Sequence, residues 1–310
     1  LHLKKCRSAI SLFVSGTVFA FGSIKHMTPY VADPVYLNGQ FLPLAEAGIS
    51  PLDRGFLYGD GVYELVPVYS RKAFRLDEHL TRLQATLDGI KLANPLDLAG
   101  WQAVIEKLIA GAPWDDQSIY LQVTRGADNK RDHAFPPASV TPTAFAFAAP
   151  LVTTAPEVRA KGVAAITVSD QRWARCDLKV ISLLANILAR QQAVEAGCAE
   201  AILIRDGFMK EGAASNIFVV KNGVLLAPPK TQLMLPGITY DLVLELATCY
   251  GQPPKVAEIS ENELRSADEV WMTSSTKEIL AITTLDGKPV GNGKPGPYGE
   301  QMFQWYQDFK

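Results

Sequence analysis

The sequence predicts an α/β protein built as two domains, and three observations carry that expectation. Short runs rich in β-branched and aromatic residues alternate with segments whose apolar residues recur at spacings of three and four. At 310 residues, with 48% apolar and 20% charged content, the chain is long enough for two domains or one large one. A proline-bounded stretch, Pro150 to Pro156, lies near its middle. The expected boundaries are an N-terminal extension over 1–32, a small α/β domain over 33–149, a linker over 150–156 and a larger domain over 157–310.

Composition narrows the function. A net charge of −2 and a pI near 6.1 offer no basic surface to nucleic acid. Cys6, Cys176, Cys198 and Cys249 are widely spaced without a Cys-x-x-Cys pair, and the four histidines do not group with them. Neither a metal site nor a disulfide framework is expected, and reduced thiols fit a cytoplasm. Lys4, Lys5 and Arg7 precede an apolar run from Ala9 to Phe21, the layout of a secretory signal and too short for a membrane span. The preferred expectation is that residues 1–26 are an upstream extension with no part in the fold. The alternative is a true export signal.

Taken in order, Asn38-Gly39 between Tyr36-Leu37 and Phe41 marks a tight hairpin. The glycine-punctuated loop Pro51 to Gly61 enters a strand, Val62 to Tyr69, with Tyr63, Leu65 and Pro67 on one face and Glu64, Val66 and Val68 on the other. Asp77 is placed as the N-cap of a helix over 78–91, whose stripe is Leu80, Leu83, Leu87 and Ile90. Arg82 falls beside that stripe, and His79 is read as structural. A second helix spans Leu98 to Ala110, packing through Trp101, Ile105 and Leu108. Ser118 to Arg125 reads as a strand, followed by a polar loop from Gly126 to Pro137. Strands are expected at Thr143–Ala149 and Val163–Val168, and a helix from Leu184 to Ala196 closed by Gly197. Ala201–Arg205 and Ser215–Val220 are strands with Asp206-Gly207 and Asn222-Gly223 as turns. Leu235-Pro-Gly-Ile-Thr239 precedes a helix carrying Leu242, Val243 and Leu246. Glu269 begins a strand that ends in Ser274-Ser275-Thr276. Asp286-Gly287 turns a last hairpin before the final helix.

Two stretches hold the chemistry: Arg175-Cys-Asp-Leu-Lys179-Val-Ile-Ser-Leu-Leu-Ala-Asn186, and Lys210-Glu211-Gly-Ala-Ala-Ser-Asn216. With Asp53-Arg54-Gly55 and Gly61-Val-Tyr63-Glu64, they resemble the class IV aminotransferases, pyridoxal 5′-phosphate enzymes of fold type IV. The resemblance covers roughly residues 33 to 290 and implies a two-domain α/β fold with the cofactor in the cleft, in a homodimer. It makes Lys179 the Schiff-base lysine and Glu211 the partner of the cofactor's ring nitrogen. The residue types suit those roles. A lysine among Leu178, Val180, Ile181, Leu183 and Leu184 sits in an apolar setting that favours its neutral, nucleophilic form. A carboxylate keeps a pyridinium protonated. The resemblance places the cofactor phosphate on Arg82, on the backbone of Ile238, on Thr239 and on Ser275. A guanidinium fork and the free N–H groups of a helix start both suit a dianion.

The loop separates the activities. Thr124-Arg-Gly126 followed by Arg131-x-His133-x-Phe-Pro136 is similar to the D-amino acid transaminases, and implies that Arg131 and His133, with Tyr63, hold the substrate carboxylate. The implied reaction is ping-pong transamination between an amino acid and a 2-oxo acid, of the D-alanine and 2-oxoglutarate type. A departure is Pro67, where those enzymes carry a lysine, and this weakens the expectation of acidic substrates. Branched-chain aminotransferases and aminodeoxychorismate lyases share the cofactor apparatus and are the alternatives. A catalytically silent binding protein of the same fold is the reading from another class; a mere scaffold needs neither Lys179 nor Glu211.

Overall fold

Two sheets carry the chain in the computed structural model, which describes residues 30–310. The signal-like run and the rest of residues 1–29 lie outside the described residues. The first sheet has six strands: β1 (Val35–Leu37), β2 (Gln40–Leu42), β3 (Gly61–Tyr69), β4 (Lys72–Ala73), β5 (Gln117–Thr124) and β6 (Thr143–Pro150), in the order β2-β1-β6-β5-β3-β4. Every pairing is antiparallel. The β1–β2 turn has Asn38 and Gly39 at φ 48° and 90°, the left-handed pair that a two-residue hairpin requires.

Three helices accompany this sheet: α1 (Arg54–Tyr58), α2 (Leu76–Gly89) and α3 (Leu98–Gly111). Leu80, Leu83 and Leu87 of α2 and Trp101, Ile105 and Leu108 of α3 share one core with Val66, Ile119 and Leu121 of the sheet. The apolar stripes read from the sequence are therefore the buried faces. Asp77 is not the cap of α2. The helix begins at Leu76 behind Arg75, which turns the chain at φ 53°, and Asp77 sits in the first turn, where its charge suits the helix dipole.

The chain then passes through α4 (Pro156–Lys161), a helix that begins where the linker was expected to end. The second sheet comprises β7 (Val163–Ser169), β8 (Glu200–Arg205), β9 (Phe208–Gly212), β10 (Asn216–Lys221), β11 (Val224–Ala227), β12 (Lys255–Val256), β13 (Ile259–Ser260), β14 (Glu269–Ser274), β15 (Glu278–Leu285) and β16 (Lys288–Pro289). Its order is β12-β11-β10-β14-β15-β7-β8-β9-β13, with β16 beside β15. The helices are α5 (Leu184–Glu195), α6 (Ile238–Cys249), α7 (Glu261–Arg265) and α8 (Pro297–Phe309). Tyr240 and Val243 of α6 and Met302 and Tyr306 of α8 are buried with Phe218 and Trp271 of the sheet. Phe218 stacks at 5.1 Å from Tyr240 and 5.2 Å from Trp271. On α5, Ala189 and Ala193 pack on Ala201 and Leu203. Among the described residues no helix is long and apolar enough to cross a membrane.

The stretch before α5 leaves its own sheet for the other one. Val180 makes an isolated antiparallel bridge to Val62 of β3, and Leu178 and Val180 are buried in the core of the first sheet. The Lys179 segment is therefore fixed by β3.

Candidate active site

Lys179 owes its place to backbone pairing. The Tyr63 N–H donates to the Lys179 carbonyl at 3.0 Å, and the Ile181 N–H to the Gly61 carbonyl at 3.1 Å. Two glycines permit this approach. A Cβ on Gly61 would lie 3.0 Å from Ile181 Cδ1 and 2.6 Å from the Val123 carbonyl oxygen of β5, and one on Gly59 would meet the Ser182 hydroxyl at 2.8 Å. Gly59 also closes α1 at φ 68°. The half-buried Lys179 side chain brings its Nζ to 4.1 Å from the centroid of the Tyr63 ring. Of the expected apolar setting, Leu178 and Val180 are buried, whereas Leu184 is 69% exposed on the outer side of α5's first turn. It contributes nothing to shielding the amine.

Tyr63, Arg82, Lys179, Glu211, Ile238, Thr239 and Ser275 all line one cavity of about 410 Å³. That is the size of a small-molecule or cofactor site. Of the β3 face that carries Tyr63, neither Leu65 nor Pro67 is among the lining residues.

Arg82 is fixed from behind by an acid the sequence reading left unassigned. Its Nε and Nη2 donate to the two oxygens of Glu64 at 2.7 and 2.8 Å, and its Nη1 to the Pro236 carbonyl at 2.9 Å. Glu64, fully buried on β3, also meets His79 Nδ1 at 2.9 Å. Burial alone would raise the Glu64 pKa, but the Arg82 charge and hydrogen bonds outweigh it and hold the carboxyl below its usual range. His79 is lowered, chiefly by burial, against the pull of Glu64. A charged residue on the buried face of an otherwise apolar strand was the signal available for Glu64.

The Pro236 contact ties Arg82 to the start of α6. Gly237 occupies its cap position, so Ile238 and Thr239 are its first two residues, where backbone N–H groups have no partner within the helix. Thr239 is buried in the first turn, and the cap is the glycine before it. Ser275 follows β14. Its neighbour Ser274 is occupied, with Oγ accepting from the Lys277 N–H at 3.1 Å. Thr273 also lines the cavity, and its Oγ1 is buried with no hydrogen-bond partner among the described residues.

Glu211 is the next-to-last residue of β9 and is buried. It accepts from the Leu235 N–H at 3.2 Å and from Asn216 Nδ2 at 3.3 Å, and is paired with Arg172. Burial pushes its pKa up to about 7, with Arg172 acting in the opposite direction. Asn216 also donates to the Leu235 carbonyl at 3.0 Å.

Arg131 and His133 are not brought to this cavity in their own chain. Both are exposed in the loop after β5. Arg54 Nη1 donates to the Asp132 carbonyl at 2.7 Å, and Arg125 lies 4.0 Å over the Phe135 ring. Asp60 accepts from Arg54 Nε at 2.8 Å and from Arg125 Nε at 2.9 Å, which joins the two anchors of the loop. The rings of His133 and Tyr58 are 5.5 Å apart.

The donor set fits pyridoxal phosphate. A guanidinium, a helix start and hydroxyls including the unpartnered Thr273 Oγ1 match a phosphate. A buried acid matches a ring nitrogen, and an amine held beside an aromatic ring matches an aldehyde.

Comparison with known proteins agrees with this chemistry. The class IV amino-transferase family matches residues 61–285. The D-alanine aminotransferase of Bacillus licheniformis is 39% identical over 264 residues, covering 85% of this chain and 92% of that protein. Among solved structures, the branched-chain amino acid aminotransferase of Escherichia coli superposes with a TM-score of 0.84 at 26% identity, covering 89% of this chain and 94% of the other. The branched-chain aminotransferase of the archaeon Thermoproteus uzoniensis, solved with norvaline, gives 0.80 at 26% identity and 89% and 94% coverage.

Proposed function

The chain belongs to the class IV aminotransferases, pyridoxal phosphate-dependent enzymes, and we propose that it transfers the amino group of D-amino acids such as D-alanine to a 2-oxo acid. The observation that carries this reading is the convergence of Lys179, Arg82, Glu211 and Thr239 on one cavity beside Tyr63. The substrate class follows the relatives named D-alanine aminotransferase.

Arg82, the N–H groups of Ile238 and Thr239, and the hydroxyls of Thr239 and Ser275 would hold the cofactor phosphate, and Glu211 the ring nitrogen. When bound, the cofactor supplies a carbonyl that exchanges amines and a ring that accepts electrons. Lys179 Nζ removes the proton from the substrate Cα and redelivers it, as general base and then general acid. A 2-oxo acid leaves, and a second one takes up the amino group by the reverse path, which is a ping-pong sequence.

Tyr63 stands beside Lys179 and offers its phenol to the substrate carboxylate. For Arg131 and His133 to do the same, the loop over 126–137 must come from a second copy of the chain. The reading therefore carries a homodimer with it. Within each copy, the two sheets are taken as the two domains on either side of 150–156. Pro67 lies outside the cavity lining and so decides nothing between small neutral D-amino acids and D-glutamate as donors.

The test is the visible absorbance of cofactor-loaded protein mixed with D-alanine, or separately with L-leucine, in the absence of any oxo acid. Loss of the band with D-alanine alone is the expected result. A response to L-leucine alone moves the chain to the branched-chain aminotransferases, and a response to neither favours the lyase.

A further inference from the structure

We propose that Arg172 is a positioning residue that holds the Glu211 carboxylate charged and oriented, and through it keeps the cofactor's ring nitrogen protonated. The proposal rests on the reading of Glu211 as partner of that nitrogen.

The guanidinium of Arg172 is committed on two sides. Its Nε and Nη2 donate to the two oxygens of Asp170 at 2.9 and 3.0 Å, a fork that fixes the plane of the group. Nη2 also reaches the Leu233 carbonyl at 3.2 Å. The remaining Nη1 is directed to Glu211 Oε1. Behind Asp170 stands Arg205, whose Nη2 lies 3.2 Å from Asp170 Oδ2 and donates to the Arg172 carbonyl at 2.7 Å. Arg205, Asp170, Arg172 and Glu211 thus form a row of alternating charge that ends on the cavity wall.

Among the described residues, Arg172 is the one cation paired with Glu211. The other partners, the Leu235 N–H and Asn216 Nδ2, are neutral. Asp170 is the nearby like charge and favours protonation of Glu211, as burial does. With Arg172 removed, only the Leu235 N–H still works against these two influences, and the carboxyl takes up its proton at a higher pH than in the wild type. A neutral carboxyl gives the ring nitrogen no reason to keep its own proton. Arg172 also fixes where the acid points, because a carboxylate held only by two neutral donors at 3.2 and 3.3 Å is free to turn.

The direct readout is the nitrogen NMR shift of ring-labelled pyridoxal phosphate bound to the protein, followed across pH, together with the cofactor dissociation constant. Glu211→Gln tests the underlying reading and should abolish the protonated-ring signal. Arg172→Gln should move the midpoint of the ring titration to lower pH by about one unit or more and weaken cofactor binding about tenfold. Arg172→Lys, which keeps the charge without the fork, should fall between that variant and the wild type. If the single variant does not fold, the same signal is read in Arg172→Gln combined with Asp170→Asn, which removes the second acid that Arg172 compensates and leaves Glu211 as the one under test. A wild-type ring titration in an Arg172→Gln protein, where Glu211→Gln does change the signal, overturns the role of Arg172 alone. An unchanged signal in Glu211→Gln overturns the reading beneath it.

Discussion

Tyr63 and Lys179 are joined twice. The backbone N–H of the tyrosine donates to the lysine carbonyl at 3.0 Å, and the lysine amine lies 4.1 Å from the tyrosine ring centroid. The lysine of the segment between β7 and α5 is thereby set by β3 of the first sheet, and the ring forms one wall against which the amine rests. Tyr63 itself stacks on Tyr120, which stacks on Phe147. Removing the phenol should leave this arrangement intact. Tyr63→Phe is expected to keep cofactor affinity while raising the KM for D-alanine about tenfold, the worth of one hydrogen bond to a charged group. Steady-state kinetics beside a cofactor titration separate the two effects. An unchanged KM removes the phenol from substrate recognition.

Lys179→Ala is a sharper test, because the backbone pairing that holds the segment does not depend on the side chain. The variant should fold and still bind the phosphate end of the cofactor, yet show no protein–cofactor link that borohydride can trap and no turnover. Activity at the wild-type rate would remove the central residue from the mechanism.

The loop anchored by Arg54 and Arg125 leads to a gain-of-function experiment. If Arg131 serves the cavity of a second copy, Lys179→Ala and Arg131→Ala subunits should each be inactive alone. Mixed and reassembled, they should recover activity, because one site per hybrid dimer then combines an intact Lys179 with an intact Arg131. Absence of recovery from a verified hybrid returns Arg131 to solvent.

Much of this site could be read from the chain because its parts fall in short contiguous motifs. Lys179, Glu211, Arg82 and Thr239 each carry neighbours that give them context. Glu64 stands in a motif, Gly61-Val-Tyr63-Glu64, without a role of its own there, and Arg172 stands outside the motifs. Each acts by standing behind a motif residue, Glu64 behind Arg82 and Arg172 behind Glu211, and such a pairing exists only after strands and helices have packed. The helix stripes were legible because burial on one side imposes a period, as Leu80, Leu83 and Leu87 show. The separation of Arg131 and His133 from their own chain's cavity was not, since nothing in a loop's composition says where its tip will lie. Leu184 misled for a related reason. A run of leucines reads as uniformly apolar, but a helix starting at Leu184 turns that side chain outward.

The Glu64, His79 and Arg82 cluster should make the protein sensitive to acid. Glu64 is depressed below its usual value of 4.5, so its contribution is complete above that pH and is lost as the pH falls toward its folded value. His79 is depressed below 6.5 and kept neutral in the fold, so its contribution also fades as the pH drops through 6.5. Both act in the same direction. Glu64→Gln leaves Arg82 buried without its counter-charge and should cost about 3–5 kcal/mol at neutral pH. It should also flatten the decline in stability between pH 5 and about pH 3 relative to the wild type. Urea unfolding at several pH values measures both, and an equal decline in the two proteins would show that Glu64 is not the group responsible.

Gly237 offers a test of the proposed anion site that removes no polar side chain. It caps α6, and a methyl group there would run into Asn216 Oδ1 and come within 3.3 Å of the Tyr240 Cβ. Asn216 cannot retreat freely, because it donates to the Leu235 carbonyl at 3.0 Å and to Glu211 at 3.3 Å. Gly237→Ala should therefore disturb the start of α6 and the Glu211 carboxylate together. Its backbone conformation, φ −69° and ψ 137°, is open to alanine, so the cause would be contact and not strain. The expected result is a rise of about tenfold in the pyridoxal phosphate dissociation constant, together with a loss of about 1–3 kcal/mol in the stability of the cofactor-free protein from the overpacked contact. Inorganic phosphate should protect the wild type against heat and protect this variant less, if the N–H groups of Ile238 and Thr239 hold either anion as proposed. Equal protection of the two proteins would mean that the phosphate sits elsewhere.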